Sequence, residues 1–150
     1  MATDGKVYYS GEFHHTLDDK GRLTIPSAWR DGHPEGATFL ATPHPDGYIA
    51  ILPPAQVEAL HAKIAAQKLS DARAQAFAAR FFSQTQSFSF DKAGRVSLST
   101  ALLKHAGIER EAVLAGGLAK FSIYNPARWA QEMAKSEGEA FGALMRELDL

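Results

Sequence analysis

The sequence predicts an α+β fold, a pseudo-two-fold β-barrel made from two repeats with flanking α-helices. Three observations predict it: a turn motif recurs after 73 residues, apolar and polar residues alternate after each copy of the turn, and a proline opens a helix after the last strand of each copy. A unit of roughly 55 residues buries too little surface to be comfortably stable alone. We therefore expect residues 1–150 to form a single domain with internal repeats at about 9–69 and 82–150.

The repeat is clearest around an Asp-x-x-Gly-Arg turn. Residues 13–26 align with residues 86–99, and the aspartate, glycine and arginine are the identical positions of that alignment. After the arginine, apolar residues alternate with a hydroxyl residue in both copies, at residues 23–25 and at residues 96–98. An alternation with a period of two is typical of a half-buried β-strand.

The similarity continues downstream of the turn. Residues 38–41 resemble residues 112–115, and residues 48–55 resemble residues 120–127. A short segment containing glycine separates the two apolar stretches in each copy, which predicts a β-hairpin. Each unit is therefore predicted to contain a strand, a tight turn, a second strand, a short helix, a hairpin and a helix.

Proline, small polar residues and glycine mark the predicted helix ends. Proline is tolerated in the first helical turn, serine and asparagine cap N-termini, and glycine ends helices. The predicted helix starts are at Pro53-Pro54, Ser70, Ser99 and Asn125-Pro126, and the predicted stops or bends are at Gly107 and Gly138.

The composition is that of a globular protein, with 45% hydrophobic and 22% charged residues. The absence of cysteine excludes disulfides, thiolate zinc sites and a cysteine nucleophile, and it fits a reducing cytosol. Residues 1–9 contain no apolar signal segment, and no run approaches the roughly 20 apolar residues of a membrane span. We expect a cytoplasmic protein without a membrane partner.

Each residue type of the turn has a physical role. Glycine can adopt positive φ, aspartate can accept backbone N–H groups, and a carboxylate can hold a nearby guanidinium in a fixed fork geometry. The turn-orienting residues are Asp18, Gly21, Asp91 and Gly94, and the arginines that follow are Arg22 and Arg95. One interpretation is purely structural, because an exposed local ion pair stabilises a turn by only ~0–1 kcal/mol.

The other interpretation is that the two arginines bind double-stranded DNA. An ordered arginine paired with a guanine edge contributes about 1–3 kcal/mol of discrimination. Lys20 and Lys92 lie in the same turns, where they could neutralise phosphates. The net charge of −1 opposes this interpretation unless the basic groups gather on one face. Repetition favours it, because β-ribbons that bind DNA present paired basic side chains to one groove.

These motifs resemble the MraZ family, within the wider group of AbrB-type swapped-hairpin barrels. The resemblance rests on residues 17–26 with Arg30 following, and on residues 80–83 leading into residues 91–95. It implies a homo-oligomeric ring and a nucleoid-associated transcription regulator. It also implies binding to repeated sites upstream of the cell-division and cell-wall gene cluster. The implied DNA-binding residues are Lys20, Arg22, Lys92 and Arg95.

The second turn departs from the family pattern in two ways. Residues 96–99 end in serine where the family has a proline, and Lys92 lies one position earlier in its turn than Lys20 does. We therefore expect the turn at Arg22 to contribute more to DNA binding than the turn at Arg95.

Two other classes of function are alternatives to DNA binding. A ring-forming structural or protein-interaction module without DNA specificity would use the arginines for subunit contacts, but a lysine beside each arginine contributes little to a dry interface. An enzyme is not expected, because the sequence contains no glycine-rich phosphate loop before a helix and no nucleophile beside Asp18-Asp19. The adjacent His14 and His15 would point to opposite faces of a strand, so neither a metal site nor a cofactor is expected.

Overall fold

The computed structural model describes residues 7–67 and 71–150, which form an α+β fold of antiparallel sheets and helices. The strands are β1 (Glu12–Thr16), β2 (Arg22–Thr24), β3 (Phe39–His44), β4 (Tyr48–Leu52), β5 (Gln86–Phe88), β6 (Arg95–Ser97), β7 (Glu111–Gly116) and β8 (Phe121–Tyr124). The helices are α1 (Ser27–Arg30), α2 (Pro54–Ala65), α3 (Ala72–Ser83), α4 (Thr100–Ala106), α5 (Pro126–Lys135) and α6 (Glu139–Glu147). The predicted α+β class is confirmed.

The strands form a six-stranded sheet and a separate two-stranded ladder. The larger sheet has the order β1-β7-β8-β4-β3-β5, and the ladder joins β2 to β6. At the centre of the larger sheet, β4 pairs with β8 and Ile49 lies opposite Ile123. Each outer strand pairs with the hairpin from the other half of the chain: β1 with β7, and β5 with β3.

The closed barrel remains a prediction. Within the described residues, the order of the six strands is linear and no ladder joins β1 to β5. The β2–β6 ladder lies outside that order, although a backbone hydrogen bond of 3.0 Å from Ile25 N to Gly94 O extends it by one residue.

Trp29 links the ladder to the larger sheet. It lies on α1, directly after β2, and its side chain is only 1% exposed. Its ring centroid is 4.7 Å from that of Phe121 on β8 and 5.2 Å from that of Phe13 on β1. The indole Nε1 donates to the carbonyl oxygen of Ser10 at 3.1 Å, so the buried nitrogen is satisfied. Packing around this indole therefore fixes where the ladder lies on the sheet.

Several predicted helix ends are confirmed. The hydroxyl of Ser99 accepts from Leu102 N at the start of α4, and Gly107 ends that helix with φ of 67°. The side chain of Asn125 accepts from two backbone N–H groups of α5. The cap predicted at Ser70 lies outside the described residues. The N-cap of α3 is Asp71, whose carboxylate accepts two backbone N–H groups of the first turn.

The outer helices expose apolar side chains. Among the described residues of α2, α3, α5 and α6, none is buried. On α3 the side chain of Phe77 is 53% exposed, and on α6 those of Phe141 and Leu144 are 61% and 54% exposed. Within the described ranges, no helix is both long and apolar enough to cross a bilayer.

Candidate nucleic-acid interface

The β2–β6 ladder has one buried face and one outward face. Leu23 and Val96 lie opposite each other with at most 2% of their surface exposed. Because strand side chains alternate, the residues on either side of this pair occupy the other face. They are the cross-strand pairs Arg22–Ser97 and Thr24–Arg95. The two arginines are therefore diagonal neighbours on one surface, a relation that places such side chains about 7–8 Å apart.

The first turn holds Arg22 through the carboxylate of Asp18. Oδ1 of Asp18 accepts the backbone N–H of Lys20 at 2.9 Å and that of Arg22 at 2.8 Å. Oδ2 accepts Nε of Arg22 at 2.7 Å. Gly21 has φ of 73° and donates its N–H to the carbonyl oxygen of Asp18 at 2.9 Å. One carboxylate thus holds both the bend and the inner edge of the guanidinium.

The second turn repeats this geometry. Oδ1 of Asp91 accepts the backbone N–H of Ala93 at 2.9 Å and that of Arg95 at 2.8 Å, and Oδ2 accepts Nε of Arg95 at 2.9 Å. Gly94 has φ of 76° and donates to the carbonyl oxygen of Asp91 at 2.9 Å. Hydrogen bonds to the turn aspartates hold both arginine side chains in place. Because each side chain is about 30% exposed, it still reaches solvent.

An ion pair also connects the two turns. Nη1 of Arg95 lies 3.8 Å from Oδ2 of Asp18, the same oxygen that accepts Nε of Arg22. The spacing of residues within one turn does not predict this ion pair, because the pair joins residues from different repeats. It brings both guanidinium groups to one carboxylate, and hence to one patch of the surface.

The lysines are placed less symmetrically than the arginines. Lys20 and Lys92 are both exposed. Lys20 supplies the N–H that Asp18 accepts, whereas in the second turn Ala93 supplies the equivalent N–H and Lys92 precedes it. The two lysine side chains therefore extend from different positions within their turns.

The hydrogen bonds lower the pKa of both turn aspartates below the ordinary value of 3.8. For Asp18 the main cause is the backbone N–H of Arg22, and for Asp91 it is the backbone N–H of Arg95. A lowered carboxyl pKa means that the ionised form is favoured in the folded state. Its contribution to stability is therefore present above the ordinary pKa and is lost as the pH falls through the lowered one.

A comparison of the wild-type protein with Asp91→Asn tests this dependence. We expect the difference in their free energies of unfolding to be constant above about pH 5 and to shrink at lower pH, because the wild-type carboxylate becomes protonated there. Urea denaturation at several pH values measures it. A difference that does not change down to about pH 2 would contradict the assignment.

Arg30 also contacts the second turn, and sequence reasoning did not assign it to the site. Its Nε donates to the carbonyl oxygen of Ile25 at 2.7 Å. Its guanidinium lies against Gly94 so closely that a Cβ at this position would be 2.3 Å from Cζ and from Nη1. At Gly21 a Cβ would have no atom within 4 Å in the part of the chain that the structure describes. The two turns are alike internally but differ in what packs on them.

This difference predicts unequal effects of alanine at the two glycines. Gly21→Ala and Gly94→Ala each place a Cβ at positive φ, which costs about 1–2 kcal/mol. Gly94→Ala must in addition displace the guanidinium of Arg30. We expect it to lower the free energy of unfolding more than Gly21→Ala does, as measured by urea denaturation. Equal losses would contradict the close packing at Gly94.

No metal-binding cluster accompanies this surface. Within residues 7–67 and 71–150, no three histidine, aspartate or glutamate side chains converge as metal ligands. The side chain of His14 is instead paired with Glu12, with Nε2 and Oε2 2.7 Å apart.

The fold and this surface define a class of small α+β protein in which two arginine-bearing turns share one face of a two-stranded ladder. Comparison with known proteins identifies the family: the chain belongs to the MraZ family. Residues 81–149 match the family model of the MraZ protein.

Full-length relatives extend the similarity to nearly the whole chain. The chain is 35% identical to the transcriptional regulator MraZ of Symbiobacterium thermophilum over 138 residues, which are 92% of this chain and 98% of that protein. It is 33% identical to the protein of the same name from Lactobacillus gasseri, over 94% of this chain and 96% of that protein. The corresponding protein of Limosilactobacillus fermentum is 34% identical, over 90% and 94%.

Proposed function

We propose that this protein is a sequence-specific DNA-binding transcriptional regulator and not an enzyme. The observation that carries the proposal is the presence of Arg22 and Arg95 on one face of the β2–β6 ladder, each held by its own turn aspartate. The name of the relatives, transcriptional regulator MraZ, supports the same function. Localisation in the cytoplasm, at the nucleoid, follows from the proposal.

The proposed contacts use the outer nitrogens of each guanidinium. Nε of each guanidinium is bonded to its own turn aspartate, and Nη1 of Arg95 also lies 3.8 Å from Oδ2 of Asp18. The terminal nitrogens of Arg22 and Nη2 of Arg95 would then face a ligand. A guanidinium held in this way matches the O6 and N7 acceptors of guanine, or two phosphate oxygens. Lys20 and Lys92 would neutralise phosphates beside them. Four cations in the two turns outnumber the three carboxylates of Asp18, Asp19 and Asp91, so the patch is weakly basic although the chain is not.

We propose further that two repeats, at about 9–69 and 82–150, form one domain of the swapped-hairpin barrel type. The strand order supports this architecture. Exchanging each strand for its counterpart 73 residues away reverses the order of the six-stranded sheet and so leaves its pairings unchanged. The pairing of β1 with β7 then corresponds to that of β5 with β3. The axis of the pseudo-symmetry would pass between β4 and β8.

The exposed apolar helices favour assembly into a ring of identical subunits. Phe77 on α3, Phe141 and Leu144 on α6, and Leu148 at the C-cap of α6 are each more than half exposed. Large exposed apolar patches are typical of interaction surfaces. In a ring, several turn pairs would meet repeated DNA sites at once, and avidity would exceed the affinity of one subunit by about 10²–10⁴. We place the proposed sites upstream of the cell-division and cell-wall gene cluster.

The second candidate is a ring-forming structural or interaction module without DNA specificity. The observation in its favour is the ion pair between Arg95 and Asp18, because arginines that are neutralised by protein carboxylates can serve purely structural ends. The two candidates differ in their response to salt. Binding to DNA releases counterions, so affinity falls steeply with salt concentration, whereas contacts among apolar helices do not weaken in this way.

A footprint on the DNA upstream of the protein's own gene tests the proposal. We expect protection of short repeated sequences, with an affinity that declines linearly in a plot of log affinity against log salt. Unrelated DNA of the same length serves as the control. Equal protection of both DNAs, or no protection at low salt, would reject sequence-specific binding and leave the structural module.

A further inference from the structure

Arg30 packs on the second turn, and none of the residues at 7–67 and 71–150 packs on the first turn in the same way. We propose that Arg30 is a positioning residue for Arg95: it braces Gly94 and thereby fixes the direction in which the second turn presents its arginine. The inference rests on the proposed function in so far as Arg95 contacts DNA. It concerns a residue outside the two turns, and it predicts that the two halves of the interface are not equivalent.

Three contacts form the brace. Nε of Arg30 donates to the carbonyl oxygen of Ile25 at 2.7 Å. The N–H of Ile25 donates to the carbonyl oxygen of Gly94 at 3.0 Å. The guanidinium itself covers Gly94, where a Cβ would lie 2.3 Å from Cζ. Gly94 is thus held from two directions, and its peptide bond leads directly into Arg95.

The first turn is built without such a brace. The residue 73 positions after Arg30 is Leu103, an apolar residue that packs against the core and has no polar group to donate. In agreement with this, Gly21 is open: no atom of the described residues lies within 4 Å of where its Cβ would be. Among the described residues, the side chain of Arg22 is held by Asp18, whereas that of Arg95 contacts Asp91 and Asp18 and its turn is braced in addition by Arg30.

The chemistry of arginine suits this task. Its planar group can lie flat against a glycine while Nε donates to a carbonyl, and lysine has neither the plane nor the inner donor. Within residues 7–67 and 71–150, Arg30 forms no ion pair. A direct phosphate contact of Arg30 is disfavoured, because the cleft that Arg30 shares with Lys92 contains more carboxylates than these two cations. The carboxylates are those of Asp31, Glu35 and Asp91.

A double-mutant cycle on DNA affinity tests the inference. Arg30→Met keeps the length of the side chain but removes the donor to Ile25. We expect it to weaken binding at least threefold in the wild-type background but less than twofold in Arg95→Ala, which retains binding through Arg22 and where the positioned group is already absent. Arg30→Lys should resemble Arg30→Met despite its charge. Equal losses in both backgrounds, or full rescue by lysine, would overturn the proposal in favour of a charge contact with DNA.

A second measurement does not depend on DNA at all. The Nε–H resonances of Arg22 and Arg95 report their hydrogen bonds to Asp18 and Asp91 in the free protein. In Arg30→Met we expect the Arg95 resonance to broaden and to exchange faster with water, while that of Arg22 is unchanged. Two unchanged resonances would overturn the inference. If the wild-type protein failed to bind DNA but Arg95 alone responded here, the proposed function would fail and the positioning role would stand.

Discussion

Arg22→Ala is expected to abolish binding to operator DNA while the oligomer stays intact. The guanidinium of Arg22 is ordered by Asp18 and lies on the outward face of the ladder, opposite the face that buries Leu23 and Val96. Loss of one bidentate contact to a base weakens binding by about 1–3 kcal/mol per subunit, and the loss is multiplied when several subunits engage repeated sites. Gel shift at moderate salt measures binding, and sedimentation measures the assembly.

Two control variants test whether the loss of binding is specific to the guanidinium of Arg22. Lys135→Ala removes one positive charge from α5, where the ammonium is paired with Glu132 at 3.6 Å, and it should leave binding unchanged. Arg22→Lys keeps the charge but not the fork geometry, so it should retain weak non-specific binding and lose discrimination among sequences. An unaltered gel shift with Arg22→Ala would remove this arginine from the interface.

The largest effect on stability is expected from Trp29→Ala. The indole is buried against Phe121 and Phe13, and its removal leaves a cavity between the sheet and the ladder. Replacement of a buried tryptophan by alanine typically lowers the free energy of unfolding by about 3–5 kcal/mol. Natural domains have about 5–15 kcal/mol in total, so this variant should unfold at a much lower denaturant concentration than the wild-type protein.

Trp129 provides the matched control. Its ring lies 5.0 Å from that of Tyr124, and its Nε1 donates to Oε1 of Glu12 at 2.9 Å, but its side chain is only partly buried. Trp129→Ala should therefore be less destabilising than Trp29→Ala in the same urea titration. If the two losses were equal, Trp29 would not be the link between the ladder and the sheet.

The interior of each turn could be predicted from the sequence because its contacts are local. The bond between Asp18 and Arg22 spans four residues, and positive φ at Gly21 follows from the missing Cβ. The same reason explains the correct ends of α4 at Ser99 and Gly107. The sequence did not determine which residue caps α3, because Ser70 and Asp71 are equally good N-cap types and helix ends are uncertain by one or two residues.

Contacts between distant parts of the chain could not be predicted in this way. The ion pair of Arg95 with Asp18 and the packing of Arg30 on Gly94 depend on how the two turns approach each other. No periodicity in the sequence reports that approach. The pairing of β1 with β7 could not be predicted either, because the apolar alternation of a strand indicates which face is buried but not which strand lies beside it.

The pairing of β1 with β7 imposes an order on folding during synthesis. About 100 residues separate these strands, and at translation rates of about 5–20 residues per second β1 waits on the order of 5–20 s for its partner. The hairpin of β3 and β4 has no such delay, since its strands are neighbours in the chain. We therefore expect folding on the ribosome to begin at that hairpin. The earliest strand to be made would be among the last to join the sheet.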